Sequence, residues 1–204
     1  MNSVKNKTVL ITGGGSGLGL IYAERLLQDE AKVVAIIDLE NSSIKVLVSQ
    51  LELEFGKGTV EYFPCDVSNA EQFEATFKKV WDTLGGIDIL INNAGLFNDI
   101  KWQETIGVNV EHFDKTGVRI LVLCPGATVT ALLDDVTEKC LDFVEKNAVK
   151  TLFESLPTQS TQHVGRGMIQ FLLKGENGAI WVIENKKPPY AVEFPPCKKV
   201  ELKL

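Results

Sequence analysis

Residues 8–20 read TVLITGGGSGLGL, and their reading decides the fold. TVLIT is a short apolar run rich in β-branched side chains, which fits a buried strand. Glycines close it. Beyond them Leu18, Ile21, Leu26 and Leu27 recur near the helical period, so a helix with one buried face follows. A strand, a glycine turn and a helix in this order leave free N–H groups at a helix N-terminus, where a pyrophosphate can bind. Gly13, Gly17 and Gly19 follow the spacing T-G-x-x-x-G-x-G rather than G-x-G-x-x-G. A tight turn without a ligand would use such glycines too, so the turn alone identifies no site.

The next strand supplies a second signal. KVVAIID (32–38) ends on Asp38, 19 residues past Gly19. A carboxylate there can accept both ribose hydroxyls of an adenosine and would repel a 2′-phosphate. No Arg or Lys occupies 14–18 or directly follows Asp38, which favours NAD over NADP. The plainer reading is a solvated aspartate at a strand end.

Further along, strand-like and helix-like segments alternate. Residues 41–55 read as a helix with Ser42 or Ser43 as N-cap and Gly56 as stop; 60–65 read as a strand. Residues 68–84 predict a helix capped by Ser68, with Glu71 three residues on and Phe73, Phe77, Val80, Trp81 and Leu84 on one face. IDILI (87–91) and VRILVL (118–123) are strands, 130–156 is mostly helix, 161–174 is a helix, and AIWVIE (179–184) is a last strand. Continuous apolar strands between amphipathic helices imply a parallel sheet covered on both faces. From Pro188 the four prolines of the tail imply an extended surface arm.

Composition agrees with one α/β domain: 204 residues, 45% hydrophobic and 24% charged. A net charge of −6 argues against nucleic acid or an anionic membrane as partner. Cys65, Cys124, Cys140 and Cys197 are scattered without ligand spacing, so reduced thiols in a cytoplasmic protein are expected and a zinc site is not. Cys124 reads as a buried strand residue. No signal peptide and no membrane span are expected.

CDV (65–67) and NNAG (92–95) fall at the carboxyl ends of two strands, where ligands sit in open α/β sheets. Together with TGGGSGLG, Asp38, a W-x-x-x-I-x-x-N pattern (Trp102, Ile106, Asn109) and PGATVT (125–130), they resemble the short-chain dehydrogenase/reductase family. KTGVRILVLCPG is similar to its branch of 15-hydroxyprostaglandin dehydrogenases and insect-type alcohol dehydrogenases. The resemblance covers roughly residues 7–187. It implies a Rossmann-type doubly wound parallel sheet and an NAD-dependent oxidoreductase acting on a small-molecule alcohol or ketone. It gives Gly13, Gly17 and Gly19 to the pyrophosphate, Asp38 to the adenosine ribose, and Asp66 and Val67 to the adenine. Asn92, Ala94 and Gly95 would line the cofactor cleft. Asn109 would hold a water of the proton relay. Pro125, Gly126 and Thr130 would border the nicotinamide.

One part of the pattern is missing. Members of the family use a tyrosine activated by a lysine four residues on, with a serine orienting the substrate. The residues four places after Tyr22, Tyr62 and Tyr190 are Leu26, Asp66 and Phe194, so no Y-x-x-x-K exists. No strand ends in the family's serine. Asn109 belongs near the start of one family helix, whereas 111–115 resembles the end of the next. A strand-plus-helix unit is therefore excised near 110–111, which predicts six strands instead of seven and a fused helix over 103–115 as the crossover. The expected organisation is one domain, 1–187, and the tail 188–204. The shortened helices lose much of the family's usual dimer contact, so the resemblance does not carry a homodimer over.

His112 follows Asn109 by one helical turn and His163 lies near a helix start; both read more simply as surface residues than as substitute bases. Leu132, Leu133, Leu141, Phe143, Val149, Leu152 and Phe153 suit a hydrophobic substrate and would equally serve as core contacts. Three readings stay open: a dehydrogenase by descent whose catalytic centre is lost, a non-catalytic NAD-binding regulator, and a fragment without a stable fold. A splice form, a gene-model error and a pseudoenzyme fit the excision alike.

Overall fold

A computed structural model of the chain describes residues 3–95, 121–133, 136–139 and 145–192. The first half alternates strand and helix as its patterning requires: β1 (Thr8–Thr12), α1 (Gly17–Gln28), β2 (Val33–Asp38), α2 (Ser42–Phe55), β3 (Val60–Pro64), α3 (Ala70–Leu84) and β4 (Ile89–Ile91). These strands form one parallel ladder in the order β3-β2-β1-β4. Thr8 pairs with Val33, Val34 with Val60 and Val9 with Ile89. All five residues of β1 are buried, because helices cover both faces. Val9, Ile11, Val34 and Ile36 pack under α1 with Tyr22, Ala23 and Leu26; Leu10, Ala35 and Ile37 face α3 through Phe73 and Val80.

The second half contains β5 (Val122–Pro125), two short 3-10 turns (Ala131–Leu133 and Val136–Glu138), α4 (Lys146–Ser155), α5 (Thr161–Lys174), β6 (Ile180–Ile183) and β7 (Tyr190–Val192). β5 and β6 are parallel, Val122 pairing with Ile180, and β7 joins β6 antiparallel. α5 fits the sequence closely: Ser160 Oγ accepts the His163 N–H at 3.3 Å as its cap. Val164 and Met168 of α5 join the cluster under α1. Gly165 lets the two helices approach, since a methyl built there would come within 2.6 Å of Ile21.

The expected doubly wound parallel architecture forms, and six parallel strands lie among the described residues; they fall in two ladders there, with no described pairing between β4 and β5. Several expectations require correction. β5 has the exposure of an edge strand, with Val122 44% accessible. Cys124 is exposed, not buried, for the same reason. The helix expected over 130–156 is helical only at the two short turns and α4 among its described residues. Within the tail, Tyr190–Val192 is an extended, largely exposed strand, with Trp181 paired to Ala191 and Val182 to Tyr190. Asn41 rather than Ser42 or Ser43 caps α2, accepting the Ser43 N–H at 2.9 Å. Asn69 rather than Ser68 caps α3, accepting from Gln72 N at 3.0 Å; Ser68 Oγ is engaged with Asp66 Oδ1 at 2.7 Å instead. Residues 118–120, the fused helix over 103–115 with Asn109 and His112, and residues 193–204 lie outside the described residues. Among the described residues no helix is long and apolar enough to cross a membrane.

Candidate functional site

The glycine turn between β1 and α1 is the hub of a cleft at the carboxyl ends of the strands. Gly13 has φ +65°, a conformation that favours glycine, and a methyl on it would come within 2.9 Å of Ala94 Cα. A methyl on Gly19 would collide with the Gly13 carbonyl oxygen, so only hydrogen lets α1 begin so near the turn. The NNAG loop is tied to the same turn. Asn93 Nδ2 donates to the carbonyls of Thr12 and Gly13, both at 3.1 Å. Thr12 Oγ1 accepts the N–H groups of Asn93 at 3.0 Å and Ala94 at 3.1 Å. Asn92 and Gly95 are exposed beside this anchor.

Asp38 closes one side of the turn. Its Oδ2 accepts the Gly15 N–H and its Oδ1 the Leu39 N–H, each at 2.8 Å. A carboxylate offers about four lone-pair positions, so two remain for hydroxyls of a ligand. Beyond it an open groove of about 330 Å³ is lined by Leu39, Glu40, Pro64, Cys65, Asp66 and Gln72. Its volume suits a single heterocycle. Asp66 sits in its wall, whereas Val67 packs partly against the core under α3. Burial pushes the Cys65 thiol up, with a smaller contribution from Asp66.

The loop after β5 closes the other side. A methyl on Gly17 would touch Thr130 Cγ2 at 3.8 Å, which is ordinary contact. Gly126 N donates to the Ile183 carbonyl at 2.7 Å, and Pro125 ends β5 in register with Ile183. The structure thus brings Gly13, Gly17, Gly19, Asp38, Ala94 and Thr130 to one cleft from four separate segments of chain.

All three tyrosines lie among the described residues, and none has the environment of a base. Tyr22 is buried in the core, and that burial raises its pKa. Tyr62 is raised chiefly by burial, its hydroxyl donating to Leu39 O at 2.6 Å. Tyr190 donates to Glu184 Oε1 at 2.7 Å, a bond that holds its proton on. A catalytic phenol needs a lowered pKa. His163 Nε2 lies 2.8 Å from the Lys187 carbonyl, a contact that requires the proton on that nitrogen. Leu132, Leu152 and Leu156 are exposed, so they are not core contacts. Sequence reasoning missed Asn93 as the anchor and Gln159, whose buried side chain reaches the loop after β5. Their partners lie far away in the chain, and no local spacing reveals them.

The short-chain dehydrogenase family model matches residues 7–113, more than half of the chain. The chain belongs to the short-chain dehydrogenases. It is 37% identical over 107 residues to the 15-hydroxyprostaglandin dehydrogenase [NAD(+)] of Bos taurus, 52% of this chain and 40% of that protein. The Homo sapiens protein of the same name is 36% identical over the same shares. The match therefore spans less than half the length of these relatives. Among solved structures, levodione reductase superposes with a TM-score of 0.71 at 18% identity, over 91% of this chain and 98% of that one. A 3-ketoacyl-(acyl-carrier-protein) reductase from Brucella melitensis complexed with NADH gives 0.66 at 20% identity, over 90% and 98%. A short-chain dehydrogenase from Burkholderia cenocepacia in complex with NADP gives 0.67 at 19% identity, over 90% and 98%. The dehydrogenase fold thus extends over both ladders.

Proposed function

We propose that this short-chain dehydrogenase is a nucleotide-binding chain by retention and a poor catalyst by loss. On this reading it binds NAD, descends from an oxidoreductase of alcohols or ketones similar to 15-hydroxyprostaglandin dehydrogenase, and lacks the group that moves the substrate proton. The observation that carries the reading is a contrast: the cleft is assembled, while every tyrosine has its pKa raised.

The residues present fit the cofactor. Gly13, Gly17 and Gly19 leave the backbone room that a side chain would fill, and α1 directs its free N–H groups there. Asp38 keeps acceptor positions for a ribose. Asp66 and the groove beside it suit an adenine, with Val67 supporting that wall from the core. Asn92, Ala94 and Gly95 would line the cleft, and Pro125, Gly126 and Thr130 would border the nicotinamide. Asp38, Glu40 and Asp66 together make the region acidic, which disfavours a 2′-phosphate and supports NAD over NADP. NAD, when bound, supplies the hydride acceptor. Removal of the hydroxyl proton would fall to a side chain, and none of the three phenols is suited to it. That the family match ends at residue 113 supports the excision near 110–111.

A non-catalytic nucleotide sensor is the second reading, and the same contrast favours it. Formation of reduced nicotinamide, followed by absorbance with saturating NAD and a panel of hydrophobic secondary alcohols, tests for turnover. The expected rate is at least ~10²-fold below the ordinary range of ~1–10³ per second. A substrate-dependent rate inside that range would overturn the loss of catalysis.

A further inference from the structure

Gln159, between α4 and α5, is 1% exposed, yet its side chain is only half satisfied. The amide nitrogen donates to the Ile183 carbonyl at 2.6 Å and lies 3.4 Å from Thr128 Oγ1 and 3.5 Å from the Gly126 carbonyl. The amide oxygen has no partner among the described residues. Three acceptors on one side fix the orientation of the amide, because turning it would put oxygen against oxygen.

The main chain of Gln159 grips the same loop. Its N–H donates to Ala127 O at 2.9 Å, its carbonyl accepts the Val129 N–H at 3.0 Å, and Thr128 bridges to it in parallel. Thr128 Oγ1 in turn donates to Gly126 O at 2.7 Å. Gly126, Ala127, Thr128 and Val129 are thus each held by Gln159 or by a group it touches, immediately before Thr130 reaches Gly17. We propose that Gln159 is a positioning residue that fixes the loop 126–130 over the nicotinamide end of the cleft, through a buried amide aimed at the loop and at the end of β6. The proposal rests on the cofactor reading given above. It adds a residue that never meets the cofactor and acts on one end of it only.

The geometry makes the inference separable from fold stability. Ile183 O also accepts from Gly126 N, and Gly126 O also accepts from Thr128 Oγ1. Gln159→Met would therefore strand neither carbonyl, would keep the volume, and would remove the unpartnered oxygen. The test is calorimetric titration of the full chain with NAD and, separately, with AMP, which lacks the nicotinamide half. Q159M is expected to weaken NAD by about tenfold while AMP stays within about twofold, on the scale of one hydrogen bond lost. Thr128→Val, which removes the hydroxyl between Gln159 and Gly126, is expected to show the same split and decides the matter if Q159M does not fold. Equal weakening of NAD and AMP, or no change in either, overturns the positioning role. If the unaltered chain binds neither nucleotide, the cofactor reading falls first and the inference with it.

Discussion

On the proposed reading, Asp38 concentrates the nucleotide chemistry in one side chain. It already accepts two backbone N–H groups, from Gly15 and Leu39, so it is oriented before any ligand arrives. Asp38→Ala removes that orientation together with the charged acceptor for a ribose. Hydrogen bonds to a charged group are worth about 1.5–3 kcal/mol, so NAD affinity should fall roughly 10- to 100-fold; titration of the variant checks it, and an unchanged constant would remove Asp38 from the site. The position of Asp38 was legible because a strand end is marked by sequence alone. Asn93 was not: its amide spans 81 residues to Thr12, and only the ladder of β1 with β4 brings the two together.

Among elements, helix starts show where local patterns mislead. Ser68 and Asn69 are both good caps, and sequence favours the one with glutamate three residues later. Asp66 takes the serine hydroxyl, leaving Asn69 to meet Gln72 N. Asn69→Ala should therefore cost ~1 kcal/mol of stability, and Ser68→Ala distinctly less; chemical denaturation of the two variants gives the comparison. The start of β1 is held from outside its own ladder. Asp88 Oδ2 accepts the Thr8 N–H at 2.9 Å and Oδ1 meets Lys7 Nζ at 2.9 Å. The Thr8 bond, then Lys7, lowers the Asp88 pKa. A lowered folded value means the contribution is complete above the unfolded value of about 3.9 and is lost as pH falls through the folded value. Lys7 and Asp88 are partly exposed, so solvent screening keeps the contribution small, below about 1 kcal/mol. Asp88→Ala should lower the thermal midpoint at neutral pH, and the gap from the unaltered chain should close as pH falls through the lowered carboxyl value. A gap that widens in acid would reverse the assignment.

For the whole molecule, the alternation of strands and helices was readable because periodicity and burial are local properties. How the two halves meet was not. A single sheet was the simplest way to avoid open strand edges, yet β4 and β5 share no ladder among the described residues. Instead α1 and α5 pack through Ile21 and Gly165, a contact between residues 144 positions apart that no motif encodes. This docking carries Thr130 to Gly17, so the cleft depends on helix packing as much as on the sheet. The central claim is that this assembled cleft still takes the dinucleotide. Calorimetric titration of the purified full chain with NAD measures it most directly. Saturable binding at one site per chain, weakened by Asp38→Ala, is the predicted result; no heat of binding up to millimolar NAD would contradict it.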